Sequence, residues 1–151
     1  MNLEKILQFQ QELDNKIESK NHLEGKSLLT KKLLSFQVKV GELATETQCF
    51  KYWLTKKSLD RQAILNKYME CTQFLLAVGL DKGFTQNKVN LKSVEYDLIE
   101  QFANLYIDIN DFMVCSSKDN YISLLEDFLS LSPSLGLTEK EIEEGYRDIY
   151  L

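Results

Sequence analysis

The chain is poor in every residue type that would interrupt a helix or turn a hairpin. Its 151 residues include one proline, Pro133, and six glycines, so long windows lack the ring that breaks a helical hydrogen-bond ladder. No Asn-Gly or Asp-Gly pair and no alternating apolar run of useful length occurs, which argues against a sheet protein. The one histidine, His22, lies in a polar turn with no Ser or Cys motif beside it, and reads as a solvated loop residue rather than a catalytic base. The cysteines, Cys49, Cys71 and Cys115, are odd in number, widely spaced and without a C-x-x-C pair. Neither a disulfide framework nor a zinc knuckle follows, and reduced, partly buried thiols are expected. Gly25-Lys26 lacks the further glycine and spacing of a P-loop. No run approaches the roughly 18 apolar residues of a membrane span, and residues 1–5 lack the basic-then-apolar order of a leader. A cytoplasmic location is expected.

Charge of one sign is also short. With 18 basic against 23 acidic residues the net charge is −5, which repels a polyphosphate backbone unless a local patch overrides it. Neither nucleic acid nor membrane is expected as a partner. The composition, 44% hydrophobic and 27% charged, is that of an ordinary soluble domain able to bury a core. One all-α domain over 1–151 is expected, a bundle of about six helices.

Leu3, Ile6, Leu7, Phe9, Leu13 and Ile17 mark the apolar face of a first helix, with its exit over 20–25. A second is expected over about 27–54, carried by Leu33, Phe36, Val40, Leu43, Phe50 and Trp53. Ser58 or Asp60 caps a third that ends near Gly79. A fourth covers about 93–115 and a fifth about 118–131, with Ser116-Ser117 as a helix start. Thr138 and Glu141 stand in capping-box spacing at the start of the last. Tyr96, Phe102, Tyr106, Phe112, Tyr121 and Phe128 recur at helical spacing, as core or dimer-interface aromatics.

Two polar stripes interrupt this apolar pattern. Lys39, Glu42 and Glu46 share one helical face, and Lys67 and Glu70 share another. In antiparallel packing of the second and third helices the stripes can meet inside the bundle, where helical proteins build carboxylate metal sites. Charge runs of this kind are also common on solvated faces, as i,i+3 ion pairs.

The neighbouring residues point further. Val40-Gly41-Glu42-Leu43-Ala44-Thr45-Glu46 followed by Cys49-Phe50-Lys51-Tyr52-Trp53 resembles the helix-two signature of the dimeric, all-α dUTP diphosphatases, E-L-G-E-L-A-N-E-x-x-C-F-K-x-W. Ile64-Leu65-Asn66-Lys67-Tyr68-Met69-Glu70, then Phe74-Leu75-Leu76-Ala77-Val78-Gly79, is similar to that family's I-L-E-E-Y-V-D-x-x-H-F-L-L-S-L-G. Gln10 with Leu13-Asp14 matches Q-x-x-L-D, whose glutamine lies near the uracil base. The resemblance implies the all-α NTP pyrophosphohydrolase fold, a homodimer with contacts from the apolar-rich second half, and Mg²⁺ ions held by clustered acids that bind the triphosphate and orient a water.

Carried over residue by residue, the resemblance makes Glu42 an acid of the first metal pair, Glu46 the additional acid and Glu70 the position usually held by Asp, all three metal ligands and Glu42 and Glu46 the catalytic acids. Gln10, Lys51 and Trp53 become candidate nucleotide contacts. Lys39 and Lys67 replace the two remaining acids, taking a site nominally of −4 to zero. Lysine offers donors and no acceptor, so it cannot ligate Mg²⁺ while charged. Gln73 replaces a frequent histidine, and after Glu141 to Tyr146 the expected phosphate clamp gives way to Arg147-Asp148-Ile149-Tyr150-Leu151. The expectation is a Lys-Glu network in place of the metal site. No cofactor is then expected, Mg²⁺ entering only if the site still works, and dUTP is hydrolysed weakly or not at all. Three alternatives stay open: an active Mg²⁺-dependent dUTP/dNTP pyrophosphohydrolase giving dUMP and pyrophosphate, with Glu42, Glu46 and Glu70 on one ion; a sensor that binds dUTP or dUMP without cleaving it; and a protein-interaction module with a protein partner.

Overall fold

Helix caps divide the chain where side chains satisfy the orphan amides of a first turn. The computed structural model describes residues 1–23 and 27–150, with side chains as far as Asp148; the Gly25–Lys26 pair and Leu151 lie outside the described residues. The helices are α1 (Glu4–Lys20), α2 (Leu29–Thr47), α3 (Arg61–Lys82), α4 (Leu98–Val114), α5 (Lys118–Leu129), the single turn α6 (Leu131–Ser134) and α7 (Glu139–Tyr150). Asp60, Asp97 and Ser117 cap α3, α4 and α5 through their side-chain oxygens. At α7 the capping box closes as expected, Glu141 N–H donating to Thr138 Oγ1 at 3.2 Å and Thr138 N–H to Glu141 Oε2 at 2.9 Å. The all-α reading holds, and among the described residues the one extended pairing is an isolated antiparallel bridge, Asn2 with Lys88.

Four boundaries differ from the expectation, each for a local reason. The second helix stops at Thr47 and not near residue 54, because Gln48 turns left-handed (φ 55°) and its side chain donates to the Ser58 carbonyl. Phe50 and Trp53 kept the apolar period, yet they lie beyond the helix and are exposed. The fourth begins at Leu98 because the extended Asp97 caps it, which leaves Val94 and Tyr96 in the preceding loop. The fifth ends at Leu129, and Leu131 belongs to α6. Finally, α3 runs through Gly79 and stops at Gly83, whose φ of 71° suits a residue without Cβ.

Gly79 serves packing instead. A Cβ there would lie 2.5 Å from Tyr121 Cζ, and the Tyr121 hydroxyl donates to the Leu75 carbonyl at 3.0 Å. One core runs from Leu3 to Tyr146. At its centre Tyr68 stacks on Phe128 at 4.8 Å and Phe36 meets Phe128 edge-on at 5.5 Å. Phe102, Phe112, Tyr121 and Phe128 are buried as expected, whereas Tyr96 is exposed. Of the cysteines, Cys71 is buried, Cys49 half-buried and Cys115 exposed, all of them free thiols. His22 is exposed in the turn after α1.

Candidate functional site

Helices α2 and α3 pack antiparallel, which sets Lys39 opposite Glu70 and Glu42 opposite Lys67. The four side chains close a ring of alternating charge. Glu42 Oε2 lies 3.0 Å from Lys39 Nζ and 3.1 Å from Lys67 Nζ; Glu70 Oε2 lies 3.1 and 3.3 Å from the same two nitrogens. Each carboxylate oxygen is thus shared by two ammonium groups, and each ammonium by two carboxylates. All four are between about a quarter and two-fifths exposed, at 27% for Lys39 and 38% for Glu42. The hydrogen bond to Glu42, then that to Glu70, raises the Lys39 pKa above its ordinary value. Glu42 is held below its own by Lys39 and then Lys67, and Lys67 is raised by Glu42 first. Both lysines therefore stay charged. Behind the ring, burial pushes the Cys71 thiol up and keeps it inert.

The ring does not fit Mg²⁺. That ion demands oxygen ligands at about 2.0–2.1 Å in an octahedral shell, and here the two carboxylate oxygens that face each other are occupied by cations. Glu46, one turn beyond Glu42, is half-buried and makes no ion pair with the described residues. Among the described residues, no group of three or more His, Cys, Asp or Glu side chains is arranged to hold a metal ion.

The candidate nucleotide contacts are not gathered together. Gln10 is fully buried; its Nε2 donates to Asp14 Oδ1 at 2.7 Å and its Oε1 accepts from the Tyr146 hydroxyl. Trp53 is exposed on the α2–α3 connection, with Lys51 beside it. Neither lines the cavity of about 170 Å³ between α1, α2 and α3, which Asp14, Lys31, Lys32, Ser35, Gln73 and Phe74 help to form. Ser35 is one turn from Lys39, and Gln73 one turn from Glu70, so this cavity adjoins the ring.

Two carboxyls carry signals that the sequence reading missed. Burial pushes Asp14 up to about 6, against the hydrogen bond from Gln10 and the charge of Lys32. Between α4 and α5, burial and then the hydrogen bond with Asp127 push Asp108 up to about 7. Burial also raises Asp127, but its hydrogen bonds with Asp108 and Lys92 outweigh that and hold it low; Lys92 Nζ is 2.8 Å away. The sequence signal was faint for Asp14, an acid at i+4 from a glutamine, and absent for Asp108, whose neighbour Asp127 lies on another helix.

These shifts have a signed consequence. Folding raises both pKa values, so the folded state binds more protons than the unfolded one from about pH 4 upward. The stabilisation is complete below that and is lost as pH rises through about 6 for Asp14 and about 7 for Asp108. Urea unfolding at pH 5 and pH 8 should show a loss of about 1–3 kcal/mol, discounted for the partial exposure of Asp108. Asp108→Asn should flatten the upper part of that slope; a stability that rises over the interval contradicts the assignment.

A protein-family model described as dUTPase matches residues 2–149. No curated protein and no solved structure matches the chain.

Proposed function

The chain belongs to the dUTPase family, and we propose that within it this protein keeps the helical scaffold but no longer hydrolyses dUTP at a useful rate. One observation carries the reading: the Lys39–Glu42–Lys67–Glu70 ring, with four contacts of 3.0–3.3 Å. Phosphoryl transfer rests on positioning and on electrostatic stabilisation of the transferring group by metal ions and fixed cations. Here each lysine charge is already neutralised by two carboxylates, and each carboxylate by two lysines. The ring attracts neither metal nor triphosphate, and Glu46, the candidate catalytic acid, has no metal-bound water to act on.

What the scaffold retains suits binding. The cavity beside the ring offers a buried carboxyl at Asp14, apolar walls at Ile17 and Phe74, and lysines at its mouth, a mixture able to hold an uncharged base with its ribose. A role in sensing dUTP or dUMP, or in holding a protein partner, is compatible with it. The partner of first choice is a second copy. Leu34 and Val38 on α2 and Ile107, Met113 and Val114 on α4 are exposed along one antiparallel seam, fixed by the Tyr106 hydroxyl on the Gln37 carbonyl. Such a strip of exposed apolar side chains, with Asp111 and Lys31 as its exposed charges, has the apolar centre and polar rim of a two-fold interface. Sedimentation equilibrium tests it: wild type should be a dimer and Ile107→Glu a monomer, and a wild-type monomer at tens of micromolar protein sinks it.

The hydrolytic reading is tested by incubating the protein with dUTP and Mg²⁺ and scoring pyrophosphate. Turnover should be below about 10⁻³ per second, far under the usual 1–10³ per second of enzymes. Turnover near one per second that vanishes in Glu42→Gln would establish the active alternative.

A further inference from the structure

The α2–α3 connection carries the opposite charge to the rest of the molecule. From Gln48 to Leu59, before the capping Asp60, it holds Lys51, Lys56 and Lys57 and no acid, in a chain whose net charge is −5, so the remainder stands at −8. None of the three lysines makes an ion pair with the described residues. The same segment exposes its apolar residues: Phe50 is 44% exposed, Trp53 60%, Leu59 56% and Tyr52 92%. It is nonetheless shaped. Lys51 N–H donates to the Gln48 carbonyl at 3.1 Å, Leu54 N–H to the Lys51 carbonyl at 3.1 Å, and Gln48 Nε2 to the Ser58 carbonyl at 3.1 Å. Trp53 is met edge-on by Tyr52 at 5.2 Å and by Phe50 at 6.4 Å. At the far end the exposed Asp60 is engaged as the cap of α3, its Oδ1 accepting from the amides of Gln62 and Ala63.

From this geometry we infer that residues 50–59 form a docking knob for an anionic lipid bilayer. Tryptophan and tyrosine, apolar bodies with one polar atom, settle at headgroup depth. Flanking lysines reach the lipid phosphates while their stems cover apolar surface. The contact is a peripheral one and needs no spanning segment, in keeping with the lack of any described helix long and apolar enough to cross a membrane. A single-stranded nucleic acid also combines stacking with phosphate contacts, but it needs open ring faces in series, and here Phe50 and Tyr52 each meet Trp53 edge-on. It would also extend along a surface of net −8, whereas a knob touches a plane locally and leaves distant carboxylates beyond the screening length of about 8 Å. The knob lies outside the Lys-Glu ring but includes Lys51 and Trp53, two of the candidate nucleotide contacts, so vesicle binding is measured without nucleotide and its failure leaves the test of hydrolysis untouched.

Trp53 is the only tryptophan, so its emission reports the contact without a label. Titration with vesicles of phosphatidylserine and phosphatidylcholine should blue-shift that emission, and the protein should sediment with the vesicles. Lys51→Gln/Lys56→Gln/Lys57→Gln should weaken partitioning about 100-fold, at roughly a factor of five per lysine. Tyr52→Ser should weaken it too, with the melting temperature unchanged because Tyr52, Lys56 and Lys57 are exposed and the half-buried Lys51 makes no ion pair with the described residues. Vesicles of phosphatidylcholine alone should leave the emission where it was. The inference is overturned if phosphatidylserine vesicles cause no shift at low ionic strength, if the triple variant binds as well as wild type, or if a single-stranded oligonucleotide shifts the emission and the vesicles do not.

Discussion

The K39E/K67E variant should melt well below the wild type without metal and recover when Mg²⁺ is added. Four attractive contacts of 3.0–3.3 Å become contacts among four carboxylates, and like charges at that distance cannot all stay ionised at neutral pH. Breaking a buried ion pair costs about 3–5 kcal/mol; with the ring roughly a third exposed, about 2–4 kcal/mol is the appropriate scale. For a chain of this length that corresponds to a fall of about 5–15 °C. Magnesium restores opposite charge at the centre, and a ligand at 100 times its Kd returns about 2.7 kcal/mol. Differential scanning fluorimetry with and without Mg²⁺ checks it. Wild type should be indifferent to the metal; a double variant equally indifferent would show that more than the two lysines has changed.

Gly79→Ala should destabilise the fold although it places a better helix former inside α3. Alanine gains about 1 kcal/mol over glycine in a helix interior, but the new methyl would stand 2.5 Å from Tyr121 Cζ. Tyr121 is 1% exposed and tethered to the Leu75 carbonyl, so it has no room to withdraw. Overpacking costs about 1–3 kcal/mol and the lost bond leaves the buried Tyr121 hydroxyl without its acceptor for about 1–3 more. The net expectation is a loss of about 2–4 kcal/mol in urea unfolding. Gly145→Ala is the control: its Cβ would meet nothing nearer than Leu65 and Met69 at 3.9 Å, so the helix gain should appear unopposed, at up to about 1 kcal/mol. Equal effects at the two positions would contradict the packing role given to Gly79.

Much of the fold was legible because its signals are local. Periodic apolar residues, Asp60, Ser117 and the Thr138–Glu141 box mark helices through contacts within one turn, and the structure keeps them. The ring was legible too, because i,i+3 spacing put Lys39 with Glu42 and Lys67 with Glu70 before any tertiary contact was known. Its cross-helix half depends on the register of α2 against α3, which family resemblance supplied and periodicity alone could not. The misreadings came where a local pattern outran its element. Phe50 and Trp53 continue the helical period past a left-handed Gln48, a conformation that nothing about glutamine announces. Gly79 resembled a helix end, since a glycine needed for close approach and one needed for positive φ look alike in a sequence. Asp108 and Asp127 meet only through the α4–α5 packing, so their shared titration had no linear trace.

Calorimetric titration of Mg²⁺ into the wild-type protein, alone and with dUTP present, decides whether the Lys39–Glu42–Lys67–Glu70 ring has replaced the metal site. No saturable heat should appear up to millimolar Mg²⁺ in either case. A stoichiometric Mg²⁺ site that disappears in Glu42→Gln would contradict the replacement and return the protein to the metal-dependent hydrolases.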